Sequence, residues 1–485
     1  MHLLDRIDQW ARIAPDRPAH VSGQSQMTFS ELRRRSDALA AWIDRELADK
    51  PGPVAVIGHK EPEMLVAFLA TVKAGRPYVP VDLSIPAQRV ERILEGAQAA
   101  LVLRPAEIAA MDLPDAAAPA RRVQGDDPFY ILFTSGSTGE PKGVVITLAN
   151  LESFVAWMLA EQPLTETGEV FLNQAPFSFD LSVMDLYLSL ATGGTLFSIT
   201  KDEVANLKDL YVALARSGVT SWVSTPSFAQ MCLIERTFNQ TMLPGMRRFL
   251  FCGETLAPET AQQLLERFPE AVVWNTYGPT EATVATTSVL VDRELLARHS
   301  PLPVGRAMPG TELLILDEQG AEVPEGERGE IVIVGPNVSP GYLAKPELTA
   351  KVFSLRNGVR AYRTGDWGRT REGLIFFEGR MDGQVKLNGY RIELGDLEAN
   401  LRTLPEVADA LVLPQVKEGR VDALVAFIVP AGARPESDFA FAAQLKTSLG
   451  QRLPAYMVPR KFKFLEAFPM TANGKADRRK LAEML

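Results

Sequence analysis

Cysteine is nearly missing from these 485 residues: there are two, Cys232 and Cys252, and no CxxC pair. That excludes a disulfide framework and a thiolate zinc site. Histidine is scarce as well. His2, His20, His59 and His299 are the whole set. None falls in the motifs below, so a mechanism built on an imidazole base has no evident candidate. No apolar run approaches the ~18 residues that a membrane span needs. The opening stretch MHLLDRIDQWARIAP spaces Leu3, Leu4, Ile7, Trp10 and Ala11 as one face of an amphipathic helix, interrupted by Asp5 and Asp8, and is no signal peptide. Positive charge is short too: the net charge is -9, which argues against a general nucleic-acid binder. The deficit is uneven, because from residue 381 onward 15 Lys/Arg face 13 Asp/Glu, a local net of +2. No internal repeat is visible. A cytoplasmic enzyme is expected, with no nucleic-acid partner and no membrane insertion.

What is present is ordinary in bulk and specific in detail. Hydrophobic content of 46% and charged content of 23% fit a globular chain, and this length suggests two to four folding units at ~150 residues each. Between about 53 and 278, short apolar runs such as PVAVIG, PYVPVD, TSWVST and AVVWNTYG alternate with helical patterns such as EMLVAFLATVKAG and PETAQQLLERF. Such alternation implies an α/β fold of mainly parallel sheets covered by helices. From about 300 to 379 the texture changes to short strands and Gly/Pro turns, a β-rich subdomain. The stretch GRMDG reads as a hinge at 380–383. It separates an N-terminal domain (1–379) from a small α+β C-terminal domain (384–485). The Ala/Pro-rich segment 105–128 reads as a surface connection.

One loop poses the chemical question. ILFTSGSTGEPKGVV carries an apolar strand into two hydroxyl- and glycine-rich turns that end in Pro-Lys-Gly. It fails the Walker A spacing, since Gly136 is followed five positions later by Pro141. Yet its small residues let backbone N–H groups converge on an anion. Thr134, Ser135, Ser137 and Thr138 add hydroxyl donors, Gly136 and Gly139 add freedom, and Lys142 adds charge. A phosphate cradle and a plain polar turn are the two readings.

That loop resembles the phosphate loop of the adenylate-forming (acyl- and aminoacyl-activating) superfamily. KAGRPYVPVD, FSFDLSV, NTYGPTEATV, GEIVIVG, YRTGDWG, GRMDGQVKLNGYRIEL, LPAYMVP and NGKADR follow the family's motifs in order across the whole chain. Within the superfamily the chain looks like a stand-alone amino-acid adenylation enzyme. The segments around FLNQAPFSFDLSVMDLYLSLATGGTL, STPSFAQMCL and FLFCGE look closest to D-alanine-activating ligases that charge a carrier protein. Two departures are minor: Leu83 in VDLSIP where proline is common, and Ala476 in NGKADR where valine is frequent.

The resemblance implies a reaction in which a carboxylate attacks the α-phosphorus of ATP and pyrophosphate leaves. The nucleophile is already ionised, so positive charge and donors matter more than a base. By resemblance, Thr134 to Gly139 cradle phosphates, Lys142 and Arg391 supply charge, and Lys475 bridges substrate carboxylate and α-phosphate. Glu281, helped by Thr138, holds Mg²⁺. Asp366 accepts the ribose hydroxyls with Arg380 in support. Asn275, Thr276, Tyr277, Gly278 and Thr280 form the nucleotide slot. Asp180 stands where α-amino-acid activators bind the substrate ammonium. Read alone, it could equally N-cap the helix that follows. Leu181, Met184, Cys252 and Val284 wall in a side chain little larger than methyl. Cys252 could also be a plain core thiol, and Cys232 reads as core.

The family then rotates its mobile C-terminal domain about the hinge, here Asp382, so that the phosphopantetheine thiol of a carrier protein, expected in trans, takes the aminoacyl group. The clusters Arg460-Lys461-Lys463 and Arg478-Arg479-Lys480 suggest docking of an acidic carrier. Two alternatives stay open: the same chemistry on glycine, L-alanine, 2-aminobutyrate or proline for natural-product assembly, and a catalytically silent nucleotide-binding regulator.

Overall fold

The computed structural model describes every residue except 1, 49, 137–139, 163, 165–167, 382, 388, 418–419, 433–436 and 471–475. The chain divides into two compact units. One comprises Met1–Asp82, Ala97–Leu132 and Gly143–Met381, and the other Leu83–Gly96, Phe133–Lys142 and Asp382–Leu485. Two inner segments therefore group with the C-terminal part, which chain order alone does not disclose.

The first unit holds the two large sheets. In the nine-stranded sheet, Val272–Tyr277, Arg248–Phe251, Ser221–Ser224, Val170–Asn173, Thr195–Ser198 and Pro18–Ser22 lie side by side and parallel. Antiparallel strands finish both edges. In the six-stranded sheet, Val54–Gly58 pairs in parallel with both Tyr78–Asp82 and Leu101–Leu103. All five residues of Val54–Gly58 and of Tyr78–Asp82 are buried. This is why both read as continuous apolar runs and not as alternating ones. The helix Leu181–Thr192 is buried on every side, its polar Ser182, Asp185, Ser189 and Thr192 included. The amphipathic helix Leu3–Ile13 forms and buries Leu3, Leu4, Ile7 and Trp10.

Strands between residues 312 and 380 make a five-stranded sheet, Glu312–Leu316, Gly329–Val334, Val359–Arg371, Phe353–Arg356 and Leu374–Arg380, whose pairings are all antiparallel. The texture change in the sequence is thus a change from parallel to antiparallel pairing. The segment 105–128 is not wholly a connection. Pro105–Ala110 forms a short helix, with proline in its first turn and Ile108 buried. Alanine supplies helix propensity there, and the prolines at 114 and 119 lie beyond its end.

The second unit has its own core around Ile392, Leu397, Val412, Ala426, Leu445 and Met457. Val407–Lys417 and Arg420–Pro430 pair antiparallel, and the latter pairs in parallel with Lys461–Phe464. The helices Leu394–Arg402 and Asp438–Gly450 contribute their apolar faces to this core.

Candidate active site

Four neighbouring parallel strands of the nine-stranded sheet end on the same side. The chain leaves Val170–Asn173 toward Thr195–Ser198 on one flank, and leaves Ser221–Ser224 toward Arg248–Phe251 on the other. The order reverses between the first and third of these strands. In open α/β sheets a ligand binds in the crevice at such a reversal, outside the carboxyl ends of the strands. The loops leaving two of those ends carry Asp180 and Cys252, and the next strand, Val272–Tyr277, ends in Tyr277 with Thr280 and Glu281 just beyond it.

Asp180 sits at the start of the helix Leu181–Thr192 with φ -60 and ψ -25, and its side chain makes no cap hydrogen bond. The capping reading fails on that geometry, because an N-cap residue takes extended angles and accepts from the first turn. The carboxylate is buried and turned elsewhere: Thr280 Oγ1 donates to Asp180 Oδ2 at 2.6 Å. Leu181, Met184, Cys252 and Val284 are almost fully buried and belong to one apolar cluster. Cys252 Sγ lies 3.5 Å from the Val284 carbonyl, so both readings of this thiol, core and wall, are compatible. Cys232 lies fully buried in a separate core, and burial pushes its thiol far up.

The segment leading to Asp180 is pinned by a lysine that sequence reasoning missed. Lys60 is buried, and its ammonium donates to the carbonyls of Asn173, Gln174 and Ile199 at 3.0, 2.7 and 2.9 Å. Burial brings its pKa down to about 8. A lone lysine in GHKEP carries no signal of this, since its partners lie more than a hundred residues away. Lys60→Met should lower unfolding stability by at least about 2 kcal/mol, the scale for buried carbonyls left unpaired. Denaturant titration checks this, and an unchanged midpoint would deny Lys60 that role.

Glu281 lies in the short 3₁₀ turn Thr280–Ala282 and is fully buried. Its Oε1 accepts from Tyr342 Oη at 2.8 Å. Gly278 is dictated by packing: a Cβ there would fall 2.5 Å from the Ala285 Cα. Asn275 donates to the Pro303 carbonyl at 2.8 Å and Thr276 to that of Phe251 at 2.8 Å, so each spends a side-chain donor on holding this inner strand to its neighbours.

A second group surrounds Asp366. The strands Val359–Arg371 and Leu374–Arg380 place Arg380 directly opposite Asp366. Arg380 Nη1 donates to Asp366 Oδ1 at 2.6 Å and to the Thr364 carbonyl at 2.6 Å. Tyr277 Oη donates to Asp366 Oδ2 at 2.5 Å. Burial first, then the Asp366 charge, pushes the Tyr277 hydroxyl well above the usual phenol range, which keeps it a donor. Each carboxylate oxygen can accept a second hydrogen bond. The pair of oxygens is therefore oriented and still able to take two vicinal hydroxyls. Tyr277→Phe should raise KM for a nucleotide bearing ribose by about three- to tenfold, the net worth of one ordinary hydrogen bond. A 2′-deoxy analogue should suffer less, and equal loss for both would assign Tyr277 a stacking role only.

In the second unit, the described part of the hydroxyl-rich loop packs on the hairpin Gln384–Leu387/Tyr390–Glu393. Ser135 Oγ donates to the Arg391 carbonyl at 3.0 Å and accepts from Glu393 N at 3.2 Å. Arg391 Nε donates to Gln384 Oε1 at 2.7 Å. Lys142 is buried, with its ammonium 4.0 Å from Glu393 Oε1. Gly136 is required by the turn, since a Cβ would meet the Glu140 carbonyl at 2.2 Å. Thr134 Oγ1 is buried with no hydrogen-bond partner among the described residues, a donor waiting for an acceptor. Ser137, Thr138, Gly139, Asp382 and Lys475 lie outside the described residues.

The donor set also bears on metal binding. Among the described residues no group of three or more His, Cys, Asp or Glu side chains could hold an ion. Glu281 alone fits a hard cation that keeps most of its shell from water and phosphate, as Mg²⁺ does. No helix among the described residues is long and apolar enough to cross a membrane.

A family model described as AMP-binding enzyme matches residues 7–343, and the AMP-binding enzyme C-terminal domain matches residues 396–475. The D-alanine–D-alanyl carrier protein ligase of Bacillus mycoides (strain KBAB4) is 50% identical over 499 aligned positions, covering 99% of this chain and 99% of the relative. That of Bacillus cereus (strain ATCC 10987 / NRS 248) gives the same figures. Among solved structures, a holo NRPS protein containing adenylation and PCP domains, bound to a vinylsulfonamide inhibitor, superposes with a TM-score of 0.85 at 28% identity. The match covers 100% of this chain and 84% of that one. The Vibrio cholerae adenylation domain in complex with glycyl-adenosine-5′-phosphate shares the fold, with a TM-score of 0.86 at 22% identity over 99% and 98% of the two chains.

Proposed function

The chain belongs to the AMP-binding enzyme family, and from that premise we propose that it activates D-alanine with ATP and hands the aminoacyl group to the phosphopantetheine thiol of a carrier protein. The observation that carries the choice of an amino acid is the buried carboxylate of Asp180, turned away from the helix end and oriented by Thr280. An activator of fatty or aryl acids brings no cation to such a carboxylate, whereas an amino acid brings its α-ammonium. The close-packed buried side chains Leu181, Met184, Cys252 and Val284 favour a methyl as the substrate's side chain.

The remaining residues take roles that follow from where charge accumulates. Asp366, held by Tyr277 and Arg380, receives the ribose hydroxyls. Thr134, Ser135 and Lys142, with Ser137, Thr138 and Gly139, receive the phosphates. Glu281 would hold Mg²⁺, which when bound offsets phosphate charge. Lys475 joins the substrate carboxylate to the α-phosphate, and Asp382 serves as the hinge on which the C-terminal part turns between the two half-reactions. Amino-acid-dependent pyrophosphate release across D-alanine, L-alanine, glycine, 2-aminobutyrate and proline tests the proposal. D-alanine should give the highest kcat/KM, and silence with every acid would leave a nucleotide-binding regulator.

The carrier surface narrows on inspection of the basic clusters. Arg478 is engaged with buried Glu398 at 2.6 Å, so its charge is spent inside the unit. Arg460, Lys461, Arg479 and Lys480 are exposed. Arg460→Glu/Lys461→Glu should slow thioester formation about tenfold or more at low salt through lost steering. Pyrophosphate release should stay unchanged, and equal slowing of both reactions would place the effect elsewhere.

A further inference from the structure

Thr283 and Val284 both have positive φ, +56 and +67. β-branched side chains seldom tolerate the left-handed region, and two in succession persist only where the surroundings enforce them. The residue that enforces them is Asn337. Asn337 is fully buried in the Gly-Pro-Asn turn that follows the strand Gly329–Val334. Its Nδ2 donates to the Ala282 carbonyl at 2.9 Å and to Thr286 Oγ1 at 3.0 Å. These partners flank the strained pair on either side. Its own carbonyl accepts from Thr283 Oγ1 at 2.7 Å, and its Oδ1 accepts from Thr311 Oγ1 at 3.0 Å. The amide orientation is fixed, because a backbone carbonyl can only accept. The turn carrying Asn337 is itself anchored: Asn150 Nδ2 donates to the carbonyls of Pro336 and Val338 at 2.7 and 3.0 Å.

The strained pair matters because of what it presents. Val284 packs in the same apolar cluster as Leu181, Met184 and Cys252, and its carbonyl meets the Cys252 thiol. We infer that Asn337 is a specificity-positioning residue: it clamps the left-handed Thr283–Val284 turn and so sets the size of the substrate side chain accepted, without touching substrate. This rests on the proposed reading of those four residues as the substrate wall.

The test compares Asn337→Ala, Thr286→Val and Val284→Ala with the unaltered protein, using pyrophosphate release with D-alanine and D-2-aminobutyrate. Asn337→Ala should raise KM for D-alanine about tenfold and shrink its preference over D-2-aminobutyrate about fivefold or more, within the range that one methylene provides. KM for ATP should change less than about twofold, because the ribose and phosphate groups are held by other residues. Thr286→Val removes one acceptor of the clamp at constant shape. It should move selectivity the same way by a smaller factor, and it decides the matter if Asn337→Ala fails to fold. Thr283→Gly added to Asn337→Ala should recover part of the selectivity, since glycine adopts positive φ unaided. If Val284→Ala shifts selectivity while Asn337→Ala and Thr286→Val do not, or if both KM values rise together, the inference is overturned. If Val284→Ala shifts nothing, the wall reading falls first and this inference with it.

Discussion

Asp180→Asn should lower kcat/KM for D-alanine by about 10²- to 10⁴-fold while the unfolding midpoint hardly moves. The first half follows from charge. The substitution keeps the shape and one oxygen able to accept from Thr280 Oγ1, which reaches Asp180 at 2.6 Å, and it replaces the negative charge by a neutral amide. Leaving a buried ammonium without its counter-ion costs about 3–5 kcal/mol, and each ~1.4 kcal/mol is a factor of ten. The second half follows from geometry. No hydrogen bond joins the carboxylate to the helix end, so no cap is lost. The two readings of this residue part cleanly in one experiment. A variant with ordinary D-alanine kinetics and a lower midpoint would return Asp180 to the role of helix cap.

Lys475→Ala should reduce aminoacyl-adenylate formation by about 10²- to 10³-fold or more, the range for removing one donor aimed at developing charge. Transfer from supplied aminoacyl-adenylate to the carrier thiol should continue near its normal rate. The asymmetry is the informative part. If the lysine works only where two anions must be brought together, the second half-reaction, in which a thiol displaces AMP, does not need it. Pyrophosphate exchange reads the first step and radiolabelled carrier reads the second. A variant impaired equally in both would point to a folding defect, and one impaired in neither would remove Lys475 from the mechanism.

Much of this site was legible in the chain because its motifs are local. Gly136 and Gly278 are spaced by turns that leave no room for a Cβ, and such demands write themselves into short stretches of sequence. Strand–helix alternation was legible for a similar reason, since buried parallel strands need unbroken apolar runs. Lys60, Tyr342 and Asn337 were not legible. The partners of the Lys60 ammonium, the Tyr342 hydroxyl and the Asn337 amide nitrogen lie more than fifty residues away in the chain, and no local period reports such contacts. The helix Pro105–Ala110 escaped because Ala/Pro-rich composition is shared by connections and by short helix starts.

By itself, the sequence determined which chemistry the residues could perform: one hydroxyl- and glycine-rich loop, single carboxylates at Asp180, Glu281 and Asp366, and almost no thiol or imidazole. Only the tertiary structure decided how those groups are aimed. It turned the Asp180 carboxylate to Thr280 instead of the helix end, set Tyr277 and Arg380 on the two oxygens of Asp366, and locked Thr283–Val284 into a strained turn under Asn337. The reason is physical. Residue type fixes charge and donor capacity, but in a buried site the partner that satisfies each polar group comes from a distant strand or loop, and only the folded chain brings the two together.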